Sequence, residues 1–200
     1  MRTGGEKTRE RILREALKLF TTEQYDQVTY SDLEKATGLS RGAILYHIKN
    51  KEKLFRDVLG AFVYKNNTLT ALDESKRETL RETIDNFMDQ LAKEQKYWRK
   101  FGIANINFAL LNIQMSAYTT FPDVSGFARE WYQKEIAIWR EVIERAVANG
   151  EIRRVDPLLF AELFEDTYFG TIYAALPTEE GYNIERVRHK LHCLYDTIKA

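Results

Sequence analysis

The chain has 200 residues, 44% of them hydrophobic and 12% aromatic, which excludes a disordered protein and suffices for one small and one larger domain. Its 30 Lys and Arg equal its 30 Asp and Glu, so the overall charge argues against a chain that binds polyanions along its whole length. Three prolines and ten glycines are few for a β-rich fold with frequent turns, and they predict an all-α protein.

The sequence also predicts a cytoplasmic protein with no membrane partner. The only cysteine, Cys193, cannot form an internal disulfide, and the charged start MRTGGEKTRERI lacks the apolar region of a signal peptide. Residues 97–115 are strongly apolar but are interrupted by Asn105, Asn107, Asn112 and Gln114. A transmembrane helix needs about 20 mostly apolar residues, so we expect none here.

Charge is distributed unevenly along the chain. Residues 1–56 contain 12 Lys and Arg against 8 Asp and Glu, a net charge of +4, whereas the remainder contains 18 against 22, a net charge of −4. Only the first part therefore suits a phosphate-rich partner, although ordinary solvated helix faces could produce an asymmetry of this size.

The first predicted helix runs from Glu6 to Thr21. An apolar stripe, Ile12, Leu13, Ala16, Leu17 and Phe20, marks its buried face. Residues 22–28 form the following turn, where Tyr25 and Val28 are expected to pack beneath the next helices.

Residues Thr29 to Leu54 contain the pattern helix, glycine turn, helix. Thr29 or Ser31 can cap the first helix, and Gly38 can end it in a left-handed conformation. Ser40 can cap the second helix, whose Ile44 and Ile48 repeat at i, i+4 and face inward. This arrangement predicts a helix-turn-helix, although many α-hairpins with the same geometry do not bind nucleic acid.

The first 60 residues or so resemble the N-terminal domain of the TetR family of bacterial transcriptional repressors. The order and spacing of these residues carry the resemblance: Arg11, Ile12, Leu13, Ala16, Leu19, Phe20, Tyr25, Val28, Thr29, Gly38, Leu39, Ser40, Gly42, Tyr46, His47, Lys51 and Leu54. The chain departs from the family pattern at four positions: Gln24, where a glycine is common, Glu34, where a small residue is usual, Leu45, in place of an aromatic, and Ile48, in place of phenylalanine.

The resemblance implies a helix-turn-helix DNA-binding domain over residues 1–50 and an effector-binding and dimerisation domain over residues 51–200. The predicted DNA contacts come from both helices and the start of the next one, namely Thr29, Ser31, Ser40, Arg41, Gly42, Ala43, Tyr46, His47, Lys49 and Lys51. The aromatic has moved from position 45 to Tyr46, which could therefore face a base or the DNA backbone.

A third helix, capped by Asn50, begins at Lys51 and is predicted to continue through Phe62, linking both domains. After the polar segment NNTLTALDES, Asp73 or Ser75 can cap a helix that bears Leu80, Ile84, Phe87, Met88 and Leu91. Four more helices are expected. One lies within the apolar residues 97–115, one runs from about Gly126 to Gly150, one begins at Asp156 and Pro157, and one runs from Asn183 to Lys199. We therefore expect nine helices, three in the DNA-binding domain and six in the C-terminal domain.

The last two helices are rich in apolar residues and predict a homodimer with a four-helix interface, as in the family. Small residues near Gly170 would permit close approach of two helices, with internal packing as the alternative. A two-fold dimer would place two reading helices about 34–36 Å apart, matching successive major grooves of a palindromic operator.

The family resemblance implies a small-molecule effector, whose identity the residues do not reveal. Aromatic and polar side chains of the second domain could line its site or fill the core, namely Trp98, Phe101, Asn105, Phe108, Tyr118, Trp131, Glu135, Trp139 and Tyr168. In this hypothesis the effector shifts the helix that starts at Lys51 and weakens operator binding.

Metal and catalytic chemistry are not predicted. His189, His192 and Cys193 share one helical face but lack a fourth ligand nearby in sequence. No phosphate loop, zincin helix or nucleophile elbow is present, so we expect no enzyme and no cofactor. The alternative to a regulator is an all-α ligand-binding protein or enzyme that retains the N-terminal hairpin without binding DNA.

Overall fold

The computed structural model describes residues 4–64 and 69–200. Within these ranges the chain forms nine α-helices and no β-strand, which confirms the predicted all-α fold. The helices are α1 (Gly4–Thr22), α2 (Tyr30–Thr37), α3 (Arg41–Ile48), α4 (Lys51–Val58), α5 (Leu80–Lys100), α6 (Ile106–Thr120), α7 (Val124–Ala148), α8 (Pro157–Ala174) and α9 (Ile184–Ile198). None of these described helices is long and apolar enough to cross a membrane.

Packing divides the chain into two units. The first unit contains Met1–Lys65 and Phe108–Ser125, and the second contains Asn66–Asn107 and Gly126–Ala200. The first unit thus combines α1 to α4 with most of α6. The functional division expected after residue 50 stays a prediction, because packing groups residues by contact and not by role.

Local capping signals position the helices of the first unit. Thr29 and Asp32 form a reciprocal capping box at the start of α2, and Gly38 ends that helix with a left-handed φ of 63°. The side-chain oxygens of Ser40 and Asn50 accept hydrogen bonds from the first turns of α3 and α4. The apolar stripe of α1 is buried as predicted, which fixes α2 and α3 against it.

The helix from Lys51 continues through Phe62 as predicted, but it is α-helical only to Val58 and is a π-helix over Leu59–Val63. The predicted start of α5 is wrong. Neither Asp73 nor Ser75 caps α5; Thr79 does, through a hydrogen bond that its side chain accepts from the Glu82 amide. The predicted linker NNTLTALDES lies partly outside the described residues.

The second unit is built on α5, α7, α8 and α9, with α9 packed against both α5 and α8. Gly150 ends α7 with a φ of 71°, Asp156 and Pro157 open α8, and Asn183 caps α9. All three ends agree with the sequence prediction. The chain end closes on the α7–α8 connection through an isolated bridge between Ile152 and Lys199.

Candidate nucleic-acid interface

Helix α3 is held in the first unit by one face only. Ile44 and Ile48 are buried at 0% and 2% exposure, while Tyr46, between them in sequence, is 86% exposed. Ser40 closes the N-terminal end, where its Oγ accepts a hydrogen bond from the Ala43 amide at 3.3 Å. The helix therefore has a rigid inner side and an outer side free to meet a partner.

Most of the predicted DNA contacts are accessible at the surface. The exposed ones are Thr29, Ser31, Ser40, Arg41, Gly42, Tyr46 and Lys49, and the half-buried ones are Ala43, His47 and Lys51. Thr29 and Ser40 also cap their own helices, so their hydroxyls already have partners within the chain.

Two residues that sequence reasoning did not assign to the interface orient Arg41. Its guanidinium lies 4.5 Å from the centre of the Tyr30 ring, and its amide donates to Glu34 Oε1 at 2.6 Å. Glu34, a departure from the family pattern, thus serves as a second acceptor at the N-terminus of α3. The sequence signal was the i, i+4 spacing of Tyr30 and Glu34, which places both side chains on one face of α2.

Lys51, one of the predicted DNA contacts, has partners within the first unit. Its ammonium donates to the carbonyl oxygens of Tyr25 and Val28, both at 2.9 Å, and lies 4.3 Å from the centre of the Tyr25 ring. These carbonyls belong to the α1–α2 connection and would otherwise lack a helical partner. Lys51 therefore helps to hold the first unit together, and its contact with DNA stays a prediction.

Lys49 ends α3 in a strained conformation. Its φ of 63° and ψ of −62°, with a hydrogen bond of 2.7 Å from the Asn50 amide to the Ile48 carbonyl, describe a γ-turn of the rare type. The turn ends α3 abruptly and lets α4 begin two residues later. The Lys49 side chain remains exposed at the C-terminal end of α3.

Side chains of α6 in the first unit bind the base of this helix-turn-helix. Ser116 Oγ accepts a hydrogen bond from the Tyr25 amide at 2.7 Å, and Asn112 Oδ1 accepts one from Gln24 at 2.9 Å. Arg56 of α4 donates to both carboxylate oxygens of Asp123, at 2.6 and 3.0 Å. The position of α6 is thus coupled to the α1–α2 connection and to α4.

The predicted effector residues fall in both units. Phe108 and Tyr118 belong to the first unit, and Phe108 is 53% exposed. The others belong to the second unit: Trp98, Phe101, Asn105, Trp131, Glu135, Trp139 and Tyr168. Their common role as an effector site stays a prediction.

Several members of that set have partners within the second unit. Trp139 is fully buried, stacks on Phe164 at 5.2 Å between ring centres and donates its indole N–H to Glu165 at 2.8 Å. Glu135 accepts hydrogen bonds from the amides of Leu69 and Thr70, at 2.7 and 3.2 Å. These contacts are those of packed core residues.

Buried carboxyl groups are the feature of this unit that sequence reasoning missed in part. Burial raises the pKa of Glu94 and of Glu165 to about 8, the latter also through repulsion from Glu135, whose own pKa is raised by burial to about 7. Glu94 Oε2 is buried and makes no hydrogen bond with the described residues. In the sequence, Glu94 and Glu165 look like ordinary polar positions on a helix.

The two histidines and the cysteine of α9 do not converge. His192 Nε2 lies 2.8 Å from Asp85 Oδ1, whereas His189 Nε2 lies 3.6 Å from the Sγ of the exposed Cys193. Among residues 4–64 and 69–200, no group of three or more His, Cys, Asp and Glu is arranged to bind a metal ion.

Residues 12–58 match the sequence profile of the family described as bacterial regulatory proteins, tetR family. The HTH-type transcriptional regulator AcrR of Shigella flexneri is 38% identical over 54 residues, covering 27% of this chain and 25% of that protein. The HTH-type transcriptional repressor AcnR of Corynebacterium efficiens is 48% identical over 48 residues, covering 24% of this chain and 26% of that protein. The chain thus spans about a quarter of the length of the curated relatives it matches.

Solved structures share the fold over nearly the whole chain. The TetR family transcriptional regulator PfmR from Thermus thermophilus has a TM-score of 0.69 at 23% identity, covering 93% of this chain and 97% of that chain. NalD of Pseudomonas aeruginosa, described as the secondary repressor of the MexAB-OprM multidrug efflux pump, has a TM-score of 0.69 at 18% identity, with 98% of each chain covered. The profile match thus assigns residues 12–58 to the helix-turn-helix of the tetR family of bacterial regulatory proteins, and the solved structures show that the chain shares the fold of such regulators.

Proposed function

We propose that this protein is a transcriptional regulator, a repressor, that binds a palindromic DNA operator as a homodimer in the cytoplasm and is released by a small-molecule effector. The observation that carries the proposal is the exposed outer face of α3, which is rigidly backed by Ile44 and Ile48. A helix presented in this way can enter the major groove, which is wide enough to admit it.

The charges around α3 support DNA as the partner. Arg41 and Lys49 are exposed at its two ends, where cations can neutralise phosphates on either side of a groove. Arg41 is held by Tyr30, which reduces the conformational entropy that the side chain loses on binding.

The surface of α8 supports a dimer. Leu159 and Leu163 are 50% and 37% exposed and Tyr173 is 71% exposed, with Gly170 on the same side of the helix. Apolar side chains repeated at i, i+4 and i+14 along one face suit a second copy of the same helix around a two-fold axis. The dimer would supply the paired reading helices that a palindrome requires.

Effector release is the part of the proposal that concerns both units. The effector would bind in the second domain, through the set that includes Trp131, Glu135 and Tyr168. Its binding would shift the helix that starts at Lys51 and would weaken operator binding by its different affinity for the two states.

A gel shift with duplex DNA from upstream of the protein's own coding sequence tests DNA binding. We expect a complex that survives excess unrelated duplex and weakens as salt increases. The double variant Arg41→Ala/Lys49→Ala should lose the complex, whereas the control Lys93→Ala/Lys96→Ala, which removes the same charge from an exposed part of α5, should keep it. Binding no stronger than to unrelated DNA at every salt concentration would favour the alternative, an all-α ligand-binding protein or enzyme that does not bind DNA.

A further inference from the structure

Tyr46 occupies the point of α3 farthest from the protein core. It follows the buried Ile44 by two residues and precedes the buried Ile48 by two, and two residues of an α-helix turn through about 200°. Tyr46 therefore points almost directly away from both isoleucines, in agreement with its exposure of 86%.

The sequence neighbours of Tyr46, Leu45 and His47, lie on the two flanks of the exposed face of α3, which we call its shoulders. Leu45 and His47 each lie about 100° around the helix from Tyr46 and are half-buried. The Tyr46 ring meets the His47 ring edge-on, with 5.1 Å between ring centres. One turn earlier lie two small residues, Gly42 and Ala43, and a Cβ added at Gly42 would meet nothing within 4 Å.

This geometry decides what Tyr46 meets when α3 enters a groove. The Tyr46 ring lies against His47 and leaves Gly42 uncovered, since a Cβ added at Gly42 would meet nothing within 4 Å. In a major groove, the side of the helix opposite the protein faces the base edges, and the two shoulders face the phosphate walls. Tyr46 thus lies over the bases, while Leu45, Arg41 and Lys49 lie towards the backbone.

Given the proposed DNA-binding function, on which this inference rests, we propose that Tyr46 determines operator specificity by packing its ring against the 5-methyl group of a thymine in each half-site. The thymine methyl is the apolar group that the major groove displays, and an exposed aromatic ring is its natural contact. A phosphate contact would instead require the ring to turn back towards a shoulder that Leu45 or His47 already occupies.

The experiment compares thymine with deoxyuridine, which lacks only the methyl group. An operator is first selected from random duplexes with the full-length protein, and each of its thymines is then replaced in turn by deoxyuridine. Fluorescence anisotropy should show that the wild-type protein binds about three- to tenfold more weakly when one particular thymine of each half-site is replaced. Tyr46→Phe should retain this discrimination, and Tyr46→Ala should bind both duplexes equally.

Leu45→Ala is the matched control, because it shortens the neighbouring side chain on a shoulder and should leave the discrimination intact. If Tyr46→Ala binds no operator but still binds unrelated duplex as the wild type does, base reading is also supported. Equal losses for operator and unrelated DNA, or persistent discrimination in Tyr46→Ala, would overturn the inference while leaving the proposed function standing. Failure of the wild type to select any sequence would overturn both.

Discussion

Replacing Lys51 by Met tests whether this side chain holds the first unit together or contacts DNA. Methionine keeps most of the length and apolar surface of lysine but removes the ammonium, which donates to the carbonyl oxygens of Tyr25 and Val28 at 2.9 Å each. Charge-assisted hydrogen bonds contribute about 1.5–3 kcal/mol each. Because the Lys51 side chain is half-buried, water can satisfy the two carbonyl oxygens in part once the ammonium is removed. We therefore expect the free energy of unfolding to fall by about 2 kcal/mol.

Urea unfolding measures this loss, and Lys53→Met is the control because Lys53 has a side chain that is 53% exposed and pairs with Asp57 on the surface. The control should change stability by less than about 0.5 kcal/mol. The salt dependence of operator binding should be the same for Lys51→Met and the wild type. If stability is unchanged and the slope of log K against log salt falls by about 2 per dimer, Lys51 contacts phosphate and the structural assignment is wrong.

Three further changes have defined outcomes. Glu94→Gln should reduce the fall in the free energy of unfolding between pH 5 and 8. Burial raises the pKa of Glu94 from 4.5 to about 8, so its contribution to stability is complete below pH 4.5 and is lost as the pH rises, by at most about 1.4 kcal/mol per pH unit. Thermal unfolding at pH 5 and pH 8 measures this fall, and an equal fall in the variant and the wild type would contradict the assignment. Gly38→Ala should lower the free energy of unfolding in urea by about 1 kcal/mol, because φ is 63° at this position and alanine is strained there. Gly42→Ala lies within α3 and should leave this free energy unchanged or raise it. Equal losses in the two variants would contradict the assignment of strain to Gly38. Leu163→Glu should convert a dimer into a folded monomer in sedimentation, and an unchanged mass would argue against the α8 interface.

Signals that act within a few residues of sequence predicted most of the fold. Ser40, Asn50 and Asp156 cap the helices that they were expected to cap, because an N-cap needs only a side-chain oxygen and amides two or three residues later. The start of α5 was misjudged because several polar residues before Leu80 satisfy the same local rule. The structure selects Thr79, which places the Leu80 and Arg81 amides within reach of the Glu151 carboxylate, at 2.9 and 3.0 Å.

The candidate site was predictable where it depends on the periodicity of one helix. The buried pair Ile44 and Ile48 identifies the outer face of α3 without reference to the rest of the chain. The role of Lys51 was not predictable, because its acceptors lie 23 and 26 residues earlier in a loop whose path the sequence does not define. The same limit applies to the buried Glu165, whose hydrogen-bond partner Trp139 lies 26 residues earlier on α7.

Guanine methylation protection on a selected operator tests most directly whether α3 enters the major groove. The reagent modifies N7 of guanine, an atom displayed in the major groove, so a bound helix should shield guanines there. We expect two protected patches, with centres separated by one turn of the duplex or a multiple of it, and their loss with Arg41→Ala/Lys49→Ala. A specific complex in which every guanine N7 in and around the site remains as reactive as in free DNA would contradict the account.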